Sequence, residues 1–308
     1  MIQPLPETGS EPADVPDSPE DPCLAIVAPR HDGDRILINE GDGGTERDGQ
    51  ITFSVEVTQK VPVWLRLTAV DKPGHGSMPR PNSSVTRIID ALNRLREHRF
   101  PARIIPPVDA MFRGMAENMT GEWAGAYADM ATAIQQPGFL DRLQLHSPFL
   151  HALTRDTCSI TRMEGSNKIN VVPPEATAEI DCRMLPDRPA EAFVADMREL
   201  LDGTGVELEV IMAFTPAVSS TDSELYQAIE AIIAEHHPGS RVFPAVSTGF
   251  TDSHFTRDAG IDSYGFDPVV IPESEWGRIH GNDERISVEN FRRGMRDLFA
   301  IIREVVYD

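Results

Sequence analysis

Four short stretches of this sequence join apolar or glycine-rich backbone to a side chain able to do chemistry. They are Asn39-Glu40-Gly41, Gly74-His75-Gly76-Ser77-Met78-Pro79, Asn167-Lys168-Ile169-Asn170-Val171-Val172-Pro173 with Asp181-Cys182-Arg183 behind it, and Ile279-His280-Gly281-Asn282-Asp283-Glu284. Glu40 offers a carboxylate and His280 an imidazole, both proper donors to zinc. Taken singly, each reads as a solvated loop acid or a hydrogen-bonded loop histidine. Arg183 presents a planar fork that suits a carboxylate, but a surface ion pair with Asp181, two residues back on the same strand face, is an equal reading. Asn170 adds an amide donor. Glycines on both sides of His75 let the backbone approach a neighbour closely.

The elements that must position these residues follow from periodicity. Ile36-Leu37-Ile38 reads as a buried strand feeding a tight loop over 39–44. Ile51, Phe53, Val55 and Val57 alternate, and Val63, Leu65, Leu67 and Ala69 alternate again after Pro62. A helix over 83–97, capped by Asn82 or Ser83, carries the stripe Val85, Ile88, Ile89, Leu92 and Leu95. Strands at 156–163 and 175–185, a helix at 189–202 and a strand at 206–212 complete a β-α-β-β-α-β order, that of a ferredoxin-like sandwich. Residues 98–154 interrupt it as an insertion, helical in part. Further on, Thr221-Asp222-Ser223-Glu224 reads as a capping box. The last helix starts at Ser287 with the stripe Val288, Phe291, Met295, Leu298, Ile302 and Val305.

Taken in order, with the small sandwich between them, the four stretches resemble the di-zinc family of aminoacylase, glutamate carboxypeptidase, acetylornithine deacetylase and succinyl-diaminopimelate desuccinylase. The likeness runs from about residue 35 to the C-terminus. It implies an α/β fold: an incomplete three-layer catalytic domain over 23–61 and 214–308, with a lid and dimerisation domain over 62–213. It also implies hydrolysis of amide bonds in N-acyl amino acids or small peptides with a free carboxylate. Glu40 and His280 fall on two of the family's zinc ligands, one for each of two ions. His75 falls on a histidine that reaches the partner subunit's active site and supports the developing oxyanion. Asn170 and Arg183 fall on residues that hold the substrate carboxylate. A homodimer through the lid follows from the same likeness.

The family's His-x-Asp motif and adjacent glutamate pair are absent from this sequence. The resemblance is therefore to an N-terminally truncated member, expected to be inactive alone, because one protein ligand per ion holds zinc poorly and the general base is missing. The alternative is a non-catalytic descendant that dimerises or binds carboxylates.

Composition bounds the rest. With 28 basic and 49 acidic residues, the net charge of -21 disfavours nucleic acid and anionic membranes as partners. Residues 1–22, rich in proline and acids, read as a disordered tail. The three cysteines, Cys23, Cys158 and Cys182, are widely spaced and argue against both a disulfide framework and a thiolate zinc site. No signal peptide or spanning segment is evident, which makes the cytoplasm the expected location. His98, His146, His151, His236 and His237 lack ligand spacing, and His254 reads as an ordinary surface or supporting residue near the Ser247–Asp252 turn.

Overall fold

The computed structural model describes residues 26–29, 35–117 and 119–307; the acidic stretch 1–22 and Cys23 lie outside them. Two sheets and a helical segment organise the chain. Strands β1 (Ile26–Pro29), β2 (Arg35–Arg47) and β3 (Gln50–Gln59) open it, and β4 (Val61–Val70) follows after the single residue Lys60. The pair β5 (Gly74–His75) and β7 (Val171–Val172) forms a two-stranded ribbon.

The four-stranded sheet has the order β6 (Thr157–Glu164), β8 (Glu175–Met184), β4, β9 (Glu207–Ala213), antiparallel throughout. Helices α1 (Ser84–Glu97) and α7 (Ala190–Leu201) cover one face, which is the ferredoxin-like arrangement. The pattern behind it is simple alternation. Val63, Leu65 and Leu67 of β4 and Ala178, Ile180 and Cys182 of β8 turn inward onto Ile88, Leu92, Phe193 and Met197. Ser83 caps α1: its hydroxyl accepts from the Thr86 amide, and the Thr86 hydroxyl accepts from the Ser83 amide.

The second sheet has the order β1-β2-β11-β3-β10, where β10 is Arg241–Ser247 and β11 is Asp262–Pro272. Its core gathers Ile36, Ile38, Phe53, Val55 and Phe266 against Ile229 and Ile233 of α8 (Glu224–His236) and Ile301 of α10 (Val288–Tyr307).

The insertion folds as five short helices: α2 (Pro106–Glu117), α3 (Glu122–Ala128), α4 (Met130–Ala133), α5 (Phe139–His146) and α6 (Pro148–Ala152). Although it falls within the lid by numbering, its core includes Phe243, Ala245 and Val246 of β10. Gly114 of α2 lies so close to Phe243 that a Cβ there would sit 2.3 Å from the Phe243 Cβ. The helices therefore pack on an edge strand of the five-stranded sheet and cover an edge that would otherwise be open.

Four expectations need correction. The stretch 39–44 is no tight loop, because β2 runs through it to Arg47 and turns only at Asp48-Gly49. Both turn residues have positive φ, 51° and 76°, as a two-residue hairpin requires. The glycines of 41–44 serve close strand approach instead. The helix α8 starts two residues later than the Thr221 box suggests: Ser223 is its cap and accepts from the Tyr226 amide.

The stripe of α10 is also rotated. Val288, Phe291 and Met295 are exposed, whereas Ile301 is fully buried and Leu298 and Val305 pack inward. The reason lies in β11. Asn290 bridges the Val270 amide and carbonyl, and a Cβ on Gly294 would sit 2.6 Å from the Val269 side chain. The small and polar side of the helix is thereby held against the sheet.

The fourth correction concerns the cysteines. Cys158 and Cys182 face each other across β6 and β8 and form a disulfide. Sequence spacing hides this, because the chain between them, a separation of 24 positions, leaves the sheet and returns. Replacing both by alanine should cost about 3 kcal/mol, the loop-closure value for a ring of this size. Urea denaturation measures the loss, and thiol titration of the unfolded native chain should find only Cys23 free.

Candidate functional site

The two-stranded ribbon brings His75 and Asn170 together. His75 pairs with Val171, and the Gly76 amide donates to the Asn170 carbonyl at 2.8 Å. A Cβ at position 76 would approach the Asn170 backbone to 3.3 Å, a tight contact that glycine avoids. The His75 ring is exposed, and its Nδ1 accepts from the Ser77 amide at 3.2 Å. Nδ1 also lies 2.8 Å from Ser77 Oγ, and in the tautomer that accepts there Nε2 carries the proton and can donate to an oxygen elsewhere.

Arg183 is elsewhere. It pairs with Pro62 at the far end of β8, whereas Glu175, at the ribbon end, pairs with Val70. Those eight residues span ~27 Å of strand. The ion-pair reading of Arg183 is realised: its Nε and Nη2 donate to Asp181 at 2.8 and 3.3 Å, while Trp64 Nε1 also donates to Asp181. Yet the fork is not exhausted, because Arg183 Nη1 is buried without a hydrogen-bond partner.

Glu40 is exposed on β2 beside Gly265 of β11. His280 lies past the end of β11, after the 3-10 turn Glu273–Arg278, with a positive φ of 61° and its amide donating to Glu284 at 3.0 Å. Pairing of β2 with β11 runs on to Glu46, six residues beyond Glu40. Among the described residues, no group of three or more His, Cys, Asp or Glu side chains could hold a metal ion. The donor types suit zinc, but the described residues do not complete a site for it.

Around Glu40 the chain instead concentrates acids, of which Glu56 is buried. Burial pushes the Asp42 carboxyl up to about 6 and Glu56 up to about 7, although Arg257 opposes the rise at Glu56. Asp267 is raised by burial and by Glu40. A raised carboxyl pKa means that the folded chain keeps protons the unfolded chain has released. Stability from Glu56 is therefore complete below its ordinary value of 4.5 and is lost as pH rises through about 7. The unfolding free energy from urea denaturation should fall between about pH 5 and pH 8 by on the order of 2 kcal/mol, and Glu56→Gln should flatten that fall.

His254, on α9 (Ser253–Asp258), is 4% exposed, not a surface residue. Rings of Phe214, Phe250 and Phe255 surround it, and burial lowers its pKa. The apolar residues that bury it stand beside it and 40 positions upstream, and the polar Thr-Asp-Ser run before it masked the signal. Sequence reasoning also passed over Lys60 and Arg257, both buried cations whose partners are distant in the chain.

Comparison with known proteins gives this arrangement a family. Residues 57–209 match the peptidase dimerisation domain of the M20 peptidases. The N-fatty-acyl-amino acid synthase/hydrolase PM20D1 of Xenopus tropicalis is 31% identical over 266 residues, covering 82% of this chain and 50% of that protein. The probable carboxypeptidase S-like 2 of Dictyostelium discoideum is 26% identical, covering 81% and 48%. Among solved structures, the M20 family metallo-carboxypeptidase Sso-CP2 of Sulfolobus solfataricus shares the fold with a TM-score of 0.57 at 16% identity, over 86% of this chain and 62% of that one. The chain belongs to the M20 metallopeptidase family. It spans about half the length of the curated relatives it matches.

Proposed function

We propose that this chain serves a metal-dependent amide hydrolase acting on N-acyl amino acids or small peptides with a free carboxylate, as a homodimer whose sites are shared between protomers. The observation that carries the reading is the separation of His75 and Asn170 from Arg183 by the length of the four-stranded sheet. One protomer cannot bring both groups to one small substrate, whereas a partner can present its ribbon beside the first protomer's Arg183. In that arrangement Asn170 and Arg183 hold the carboxylate, and His75 Nε2 donates to the oxygen that gains charge. The lid is proposed to comprise 62–213 and the catalytic part 23–61 with 214–308. Glu40 and His280 are proposed as one metal donor each, so that tight binding requires donors beyond the described residues.

Mixing tests the shared site. Asn170→Ala and Arg183→Ala should each abolish tight binding of an N-acyl amino acid. Random re-association of the two variants should restore about a quarter of the sites, because half of the dimers are mixed and each holds one intact pair. No recovery on mixing would overturn it.

The absence of a described three-donor group favours a second reading, a dimerising carboxylate-binding protein without catalysis. Metal analysis after zinc dialysis separates the two: about two ions per chain with turnover supports the hydrolase, and carboxylate binding with neither supports the second. Among the described residues, no helix is long and apolar enough to cross a membrane. A cytoplasmic site of action is proposed.

A further inference from the structure

Between the helical segment and the lid lies a cluster of cations that the proposed hydrolase site does not use. Lys60 is fully buried at its base, and its Nζ donates to Ala152 O, Arg155 O and Thr157 Oγ1, each at 2.8 Å. All three acceptors are uncharged. Burial brings its ammonium down to about 7, aided by Arg103, Arg183 and Arg155 and opposed by Asp156. Asp156 itself is taken up by Arg103 and Arg188.

Above Lys60, Arg155 and Arg99 line an open cleft of about 450 Å³. Neither guanidinium has an ion-pair partner among the described residues. Arg155 Nε is buried with no hydrogen-bond acceptor, an arrangement that costs energy until an acceptor arrives. Burial, and the charge of Arg99, lower the Arg155 pKa from its ordinary value. His151 shares the cleft, and burial with Arg155, Lys60 and Arg99 holds its imidazole near 4. Asp141 is the one carboxylate in the lining, and among the described residues it joins no ion pair with either arginine. The rest of the lining includes Phe100 and Leu140. A local excess of positive charge in a chain of net charge -21 is unusual, and an incoming anion would relieve the repulsion.

We propose that this cleft binds a small oxyanion, a carboxylate or a phosphate, gripped between Arg99 and Arg155 with His151 as a further donor and any apolar part lying against Phe100 and Leu140. None of His75, Asn170 or Arg183 lines this cleft. It opens past the C-terminal end of α1, whereas the ribbon lies towards its N-terminal cap, and the 14-residue helix is ~20 Å long.

Calorimetric titration of the full chain at pH 7 with inorganic phosphate, and separately with acetate, tests this. Saturable binding of at least one is expected, and the tighter of the two identifies the oxyanion. Arg155→Gln and the exposed Arg99→Gln should each weaken it about tenfold or more, the loss expected for removing a charged hydrogen bond. Arg142→Gln, whose guanidinium pairs with Glu122 elsewhere, should leave it unchanged. Following the His151 ring by NMR, the bound anion should raise its pKa. No saturation by either ion, or saturation that survives both cleft substitutions, would overturn the proposal. Arg99→Gln decides the matter if Arg155→Gln does not fold.

Discussion

Arg257→Met should destabilise the fold by about 3–5 kcal/mol in urea denaturation, the range for removing one partner of a buried ion pair. Arg257 is 7% exposed and stitches three elements together. Its Nε and Nη2 donate to Ser263 O at 3.0 and 2.8 Å, Nε also to Ser219 Oγ at 3.1 Å, and Nη1 to Glu56 Oε1 at 3.2 Å. Methionine fills the space of the stem but leaves a carbonyl, a hydroxyl and a carboxylate without that donor. Glu56, already raised to about 7, would then hold its proton still more tightly, so the loss should be smallest in mild acid and largest above neutrality. Adding Glu56→Gln to Arg257→Met should recover part of the loss, because a neutral amide costs less to bury alone than a charge. Equal losses for the single and double variants would show that Glu56 carries no charge once Arg257 is gone.

Gly41→Ala should cost about 3 kcal/mol or prevent folding, a large effect for adding one methyl group. The new Cβ would lie 2.4 Å from Gly265 Cα and 2.7 Å from its carbonyl carbon. Both contacts are backbone, so no side chain can swing away, and β2 and β11 must separate where their register shifts. Separation would also move Glu40, whose carbonyl stands 2.8 Å from where a Gly265 Cβ would be. Gly125→Ala is the control. It sits in α3 with nothing near its Cβ position, and helix propensity predicts a gain of up to about 1 kcal/mol. Thermal or urea unfolding of the two variants should therefore move in opposite directions.

These two positions show where the sequence stops being informative. Gly41 in Asn39-Glu40-Gly41-Asp42-Gly43-Gly44 has the composition of a loop, and only the crossing of β11 turns it into a requirement of the sheet. The α10 stripe fails for the same reason. Its apolar residues have helical spacing on more than one face, and the anchoring of Asn290 on Val270 chooses between them. Cys158 and Cys182 meet because β6 and β8 are neighbours in the sheet, an outcome that no spacing rule contains.

What the sequence determined by itself was everything carried by near neighbours. Alternation marked β4, β8 and β9, and an apolar stripe behind a cap at Asn82 or Ser83 marked α1. Local periodicity suffices there because each element's inward face is set within a few residues. Only the tertiary structure decided that Arg183 closes on Asp181 with one nitrogen to spare, that it lies a sheet's length from His75, and that Glu56 and Arg257 meet across 201 positions. Those facts depend on which distant segments pack together. The free energy of packing belongs to pairs of surfaces, and neither surface is written in the chain next to its partner.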